Sequence, residues 1–387
     1  MFETLPIETL QSYWWIIISL LGSLLVFLMF VQGGQTLLYT LGKNETERKI
    51  LVNALGRKWE FTFTTLVTFG GAFFAAFPVF YATSFGGAYW VWMAILFPFI
   101  IQAVAYEFRS KPNNLFGHRT YEVFLFINGA LGTILIGTAV ATFFTGTEFS
   151  IERGNITNVF DPVIASWNGA ARGLEAVLDW RNVVLGLAVF FLARTLGILY
   201  FLNSLDHEDI RRRAKKQLII NSIPFVVLFL VFLTDLLLHP GYAVDPASGF
   251  IQYTSIKYRM NLFEMPLVLL MLSAGVVFVV LGILLPILSF EKSSSKGIWY
   301  AGLGTILTVL SLFFLAGFNH TAYYPSKTDI QSSLTIYNSS SSHYTLTVMS
   351  YVSLSIPIVV AYIWYSWRSM NRKKITEAEI ESESHSY

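Results

Sequence analysis

The chain has 387 residues, of which 54% are hydrophobic and 13% charged, with a formal charge of +2. Soluble globular domains carry about 25% charge, so too little is present to solvate a chain this long, and so weak a net charge does not suggest a nucleic-acid partner. The absence of cysteine excludes disulfides, thiolate-bound metals and cysteine nucleophiles.

Stretches free of Asp, Glu, Lys and Arg cover 9–42, 61–106, 123–147, 217–234, 265–290, 297–326 and 330–367. About 20 apolar residues cross a bilayer core, and 61–106 holds two such lengths, broken at Thr83-Ser84-Phe85-Gly86-Gly87. A further span near 183–204 is interrupted only by Arg194. The pattern predicts nine helices, near 13–41, 61–83, 87–107, 121–145, 183–204, 217–238, 264–290, 298–319 and 344–367. The segments after the first, third, fifth and seventh helices, with the tail, carry 19 Lys/Arg; the other flanks carry 6, and Arg194 completes the 26. The positive-inside rule then places the N-terminus outside and the C-terminus inside. A nine-helix membrane domain over 1–370 is expected to be followed by a charged, disordered cytoplasmic tail over 371–387.

All six histidines, His118, His207, His239, His320, His343 and His385, fall in loops or at helix ends. Haem in a helical bundle takes axial His or Met from facing helices, so this chain is a poor haem carrier and is expected to bind no cofactor or metal alone. Few ionisable groups enter the spans. Arg194 is costly at membrane depth and needs partners, either a structural ion pair or a subunit contact. Glu60 and Glu264 read as helix-start carboxylates favoured by the helix dipole, and Glu60 on the inner side is also a candidate proton entry. Two functions fit this pattern: an accessory subunit of a membrane redox complex, or a secondary transporter of about nine helices. A transporter would show broken helices converging on a midplane site. Gly33-Gly34 and Gly70-Gly71 could break helices, although small residues more often serve close helix packing.

Particular segments decide between the two. Leu41-Gly42-Lys43-Asn44-Glu45-Thr46-Glu47-Arg48-Lys49-Ile50 with Trp59-Glu60, and Gly70-Gly71-Ala72-Phe73-Phe74-Ala75-Ala76-Phe77-Pro78, stand in order ahead of Tyr106-Glu107-Phe108-Arg109. Gly241-Tyr242, Lys257-Tyr258, Asn261, Met265-Pro266 and Tyr324-Pro325-Ser326 follow. In order and spacing, from about residue 10 to 370, the chain resembles subunit II of cytochrome bd-type quinol oxidases. The resemblance implies an all-α polytopic protein of the bacterial inner membrane, with nine transmembrane helices as two four-helix bundles plus one peripheral helix. It implies a haem-free accessory subunit that supports assembly of a haem-bearing subunit I, the carrier of haems b and d and of the quinol site. Membrane lipid, quinol via the complex and a small accessory subunit are the other implied partners, and some members bind a structural quinone or line proton or dioxygen paths.

The chain departs from the family where Gln32 and Gln35 replace two helix-1 acids and Gln102 replaces a helix-3 Arg. Removing one member of an ion pair strands a charge at about 3–5 kcal/mol, whereas replacing both sides by Gln leaves amides able to pair with each other. Glu60, Gln32, Gln35 and Gln102 are therefore the candidate proton path, with Glu60 within reach of Gln32 or Gln35. Trp59, Glu107, Arg109, Arg194 and Glu264 are the structural or interface candidates.

Overall fold

The computed structural model describes residues 2–111, 114–288, 296–371 and 374–375. Nine helical segments organise it: α1 (Ile7–Gln35), α2 (Trp59–Ala76), α3 (Tyr89–Phe108), α4 (His118–Thr145), α5 (Trp180–Ser204), α6 (Glu208–Leu238), α7 (Pro266–Leu288), α8 (Gly297–Gly317) and α9 (His343–Met370). Among the described residues, all but α2 are long and apolar enough to cross a membrane by length and composition. Glu60, four threonines and Gly70-Gly71 dilute the 18 residues of α2. It continues through Pro78–Tyr81 and a π-turn over Ala82–Gly87, where the sequence places its break. The tail expected over 371–387 lies almost wholly outside the described residues.

Chain neighbours pair as α1 with α2, α3 with α4, α5 with α6 and α7 with α8. The two four-helix groups are not separate bodies, because α1 packs on α5 and α8 while α4 packs on α5. Glycine allows these contacts. A Cβ on Gly33 would lie 1.9 Å from the Ala193 carbonyl oxygen, and one on Gly197 2.6 Å from the Gly34 nitrogen. Backbone therefore meets backbone between α1 and α5. A similar seam joins α7 to α8, where a Cβ on Gly282 would lie 2.5 Å from the Ala301 nitrogen. In a bilayer, where apolar burial does not drive association, such close packing is a main source of helix attraction.

The end of the bundle that the basic residues are expected to place inside, here called the inner end, carries a short helix, Glu45–Gly56, started by Asn44, whose side chain accepts from the Glu47 amide at 2.7 Å. Glu47 in turn accepts from the Lys43 amide at 2.6 Å, so two otherwise free donors are satisfied. The opposite, outer end is covered by two hairpins, Phe149–Ile151 with Ala165–Trp167 and Gly241–Val244 with Ile251–Thr254. Beneath them the outer core is aromatic, with Trp15 against Phe77 and Tyr323, and Phe143 against Phe80 and Phe313.

The outer part of α9 is tied to α1 by Trp14 Nε1 donating to Ser350 Oγ (3.1 Å) and by Tyr13 and Ser353 hydroxyls 2.7 Å apart. Its inner part, Ile356–Met370, buries no residue, as expected of a peripheral helix. Three expected starts differ. The α1 helix begins at Ile7, six residues ahead of the expected 13, with Glu8 in its first turn favoured by the dipole. The α6 helix begins at Glu208 because its charged first turns continue out of the apolar stretch, capped by His207. Glu264 does not start α7; it ends the helix Lys257–Glu264, and Pro266 opens the next after a break at Met265.

Gly33→Ala should separate α1 from α5 and destabilise the fold by about 1–3 kcal/mol, the usual cost of overpacking. Thermal unfolding of the variant measures this; an unchanged midpoint would mean that the seam relaxes without cost.

Candidate functional site

The α1–α5 seam turns Gln32 and Gln35 toward α3, and both are fully buried. Gln32 Nε2 donates to Gln102 Oε1 at 3.4 Å, the amide pairing expected when an acid–Arg pair is replaced on both sides. One turn along, Gln35 Nε2 donates to the Tyr106 hydroxyl at 3.1 Å. Tyr106 stacks on Trp59, with ring centroids 5.8 Å apart and planes at 16°. Asn128 on α4 is also fully buried, and its neighbour Gly129 lies against the Gln32 carbonyl. Gln32 Oε1, Gln35 Oε1, Gln102 Nε2 and both Asn128 amide atoms make no hydrogen bond among the described residues. Buried polar atoms in that state are ordinarily met by ordered water.

Glu60 does not join this cluster. Thr62 is buried and donates to the Leu28 carbonyl at 3.0 Å, which fixes the phase of α2. Two residues earlier, about 200° round the helix, Glu60 is exposed and has no hydrogen bond to Gln32 or Gln35.

Arg109 is buried at the inner end of α3, where Nη2 and Nε donate to Glu122 Oε1 at 2.6 and 3.2 Å. Arg48 Nε approaches the other Glu122 oxygen at 3.2 Å. Glu122 thus ties α3, α4 and the Glu45–Gly56 helix. Beside it, an open recess is lined by Tyr39, Glu45, Arg48, His118, Arg119 and Glu122. Glu107 points out and pairs with Lys111 at 3.1 Å. Glu264, also exposed, accepts from Asn319 Nδ2 at 2.5 Å at the outer end. Arg194 has no ion pair among the described residues; it bonds to Asn221 and Thr36. Both acceptors are neutral, Asn221 on α6 and Thr36 just past α1.

Reading the sequence alone missed Glu122, Asn128 and Lys58. Glu122 stands just ahead of the charge-free run 123–147, thirteen residues after Arg109, and that spacing is its only sequence signal. Lys58, just before α2, is fully buried with Nζ unbonded and 4.4 Å from the Trp367 ring centroid. Burial, and then the neighbouring Arg57 charge, lower its pKa from 10.5 to about 7.

Between α1, α2, α4, α5, α6, α7 and α8 lies a cavity of about 130 Å³, lined by Leu25, Phe143, Ala188, Leu192, Phe229 and Leu312 among others. Ser84, Thr305 and Thr308 are the hydroxyl-bearing residues in that lining.

The chain matches the family described as cytochrome bd terminal oxidase subunit II over residues 10–370. It is similar to cytochrome bd-I ubiquinol oxidase subunit 2 of Escherichia coli K12, 26% identical over 98% of each chain. Cytochrome bd ubiquinol oxidase subunit 2 of Bacillus subtilis is 27% identical over 96% of this chain and 98% of that one. In fold it is similar to the structure of bd oxidase from Geobacillus thermodenitrificans, with a TM-score of 0.61 at 10% identity, covering 94% of this chain and 98% of that one.

Lys58 yields a pH prediction. A base whose pKa is lowered on folding costs stability wherever it is charged in the folded state, so the cost is full below about pH 7 and is relieved as pH rises toward 10.5. Lys58→Met should raise stability at pH 7 by on the order of 1–3 kcal/mol after the lost cation–π contact is discounted. Unfolding midpoints measured from pH 6.5 to 10 should show that gain shrinking; a constant gain would mean the ammonium is not the cause.

Proposed function

The chain belongs to the cytochrome bd terminal oxidase subunit II family, and from that premise we propose that it is the haem-free accessory subunit of its complex, supporting the haem-bearing subunit I and lining a path for dioxygen to it. The complex is a respiratory quinol oxidase, and the chain is a multi-pass protein of the bacterial inner membrane. The donor set does not fit a haem. His118 sits beside Glu45, His207 caps α6, His239 is beside Asp235, and His343 bonds the Leu5 carbonyl. With His320 just beyond α8, these described histidines lie at ends or loops, and no two face each other inside the bundle. Oxygen reduction is therefore assigned to the partner, and no step of it is routed through this chain.

The cavity carries the dioxygen reading. An apolar void of about 150 Å³ stays dry and takes small apolar guests, and this one, of about 130 Å³, is apolar and central. Dioxygen is apolar and concentrates in such a space relative to water. A secondary transporter would instead need polar groups converging at the midplane, where this void presents mainly Leu, Val and Phe.

Ala188→Leu fills part of the void from a buried wall position. In the intact complex it should raise the KM for dioxygen severalfold while haem content and maximal turnover hold; an unchanged KM would remove the cavity from the oxygen path.

Orientation is proposed with the N-terminus outside, from the 19-to-6 basic asymmetry. In this cysteine-free chain, Val159→Cys, at 90% exposure, should react with an impermeant thiol reagent in intact cells. Glu45→Cys should react only after lysis; equal labelling of both would refute the orientation.

A further inference from the structure

Arg194 lies within the apolar length of α5, and its hydrogen bonds all go to neutral acceptors. Nε donates to Asn221 Oδ1 at 2.6 Å, while Nη1 donates to Thr36 Oγ1 at 2.7 Å and to the Thr36 carbonyl at 3.3 Å. The Phe190 ring lies 5.4 Å below the guanidinium carbon. Asn221 is itself oriented by donating to the Gln217 carbonyl at 2.7 Å. These bonds fix the guanidinium at the junction of α1, α5 and α6. Nη2 is left without a hydrogen bond to any described residue, on a side chain that is only half-buried. A cation held at this depth without an anion is costly, so the open edge calls for one.

Its depth identifies the source. Asn221 follows Lys216, the end of the basic run 211–216, by five residues, about 7.5 Å along α6. Thr36 precedes Lys43 by seven residues, about 10 Å. Headgroups occupy roughly 5–8 Å on each side of the hydrocarbon core, so a phosphate drawn slightly inward meets an Arg reaching outward. The surroundings favour an anion. Arg213 and Arg212 are paired with Glu47 and Asp209, but Lys216 is exposed. Beside the junction, Ile220, Ile223 and Val227 of α6 are 49, 59 and 55% exposed, an apolar strip suited to an acyl chain.

We propose that Arg194 holds the phosphate of an anionic inner-leaflet phospholipid at the α1–α5–α6 junction, with an acyl chain along Ile220, Ile223 and Val227. With Nε and Nη1 engaged, Nη2 offers its two N–H donors to the phosphate oxygens, and juxtamembrane basic runs of this kind attract anionic lipid. The leaflet rests on the orientation proposed above; the phosphate site does not.

The test uses the intact complex, stripped of native lipid in mild detergent and then given phosphatidylglycerol or phosphatidylcholine. Phosphatidylglycerol should raise the unfolding midpoint several degrees above phosphatidylcholine. Native mass spectrometry should show about one fewer tightly held phosphatidylglycerol in Arg194→Leu than in the parent, with part of that retention kept by Arg194→Lys. Equal stabilisation of the parent by both lipids, which needs no variant to fold, overturns the proposal. Unchanged phosphatidylglycerol retention in Arg194→Leu also overturns it. So does loss of the partner subunit from that variant with lipid retention unchanged, which would assign the open edge to a protein carboxylate. If retention is lost while Glu45→Cys labels from outside, the phosphate site stands and the orientation falls.

Discussion

Contact between two backbones, α1 at Gly33-Gly34 and α5 at Ala193 and Gly197, sets the position of nearly everything polar in this membrane domain. No side chain fits between the helices there, so their relative height and rotation leave little freedom. On one side of α1 that rotation directs Gln32 and Gln35 at α3. On the other it brings the Thr36 hydroxyl onto Arg194. A shift of one helix by a single residue would break both sets of bonds.

The spans contain few charges, and those present are treated differently at different depths. At the inner surface Arg109 and Glu122 are buried together with Arg48 alongside, where removing one partner would strand a charge. Deeper, the chain uses amides and hydroxyls: Gln32 with Gln102, and Arg194 with Asn221 and Thr36. Neutral groups impose a smaller desolvation cost than ions when their bonding is incomplete. That allows five amide atoms near α1 to remain without partners among the described residues, at a cost that isolated carboxylates would far exceed.

Packing quality also changes with depth. The outer core is filled by interlocking rings from α1, α2, α4, α8 and the loop after α8. The inner core closes around α1, α5 and the Glu45–Gly56 helix. The apolar cavity lies where α1, α2, α4, α5, α6, α7 and α8 converge. An apolar cavity thus lies inside a bundle whose helices touch tightly at their glycines.

Spans, class and family were legible in the sequence because they depend on local quantities: the length of apolar runs, the placement of charge and the order of short motifs. The meeting of Gln32 and Gln102 was expected too, from uncharged amides standing on both helices. Partners across space were not. Glu60 stands next to Trp59 in the chain, yet the phase of α2 turns it outward while Trp59 stacks on Tyr106. Glu264 looked like the start of a helix until Met265 broke the chain after it. Lys58 looked like one more surface lysine, and only the folding of α9 over it buried its ammonium against Trp367. Sequence determined which residues enter the membrane; helix phase and the glycine contacts, which depend on several helices at once, decided which of them meet.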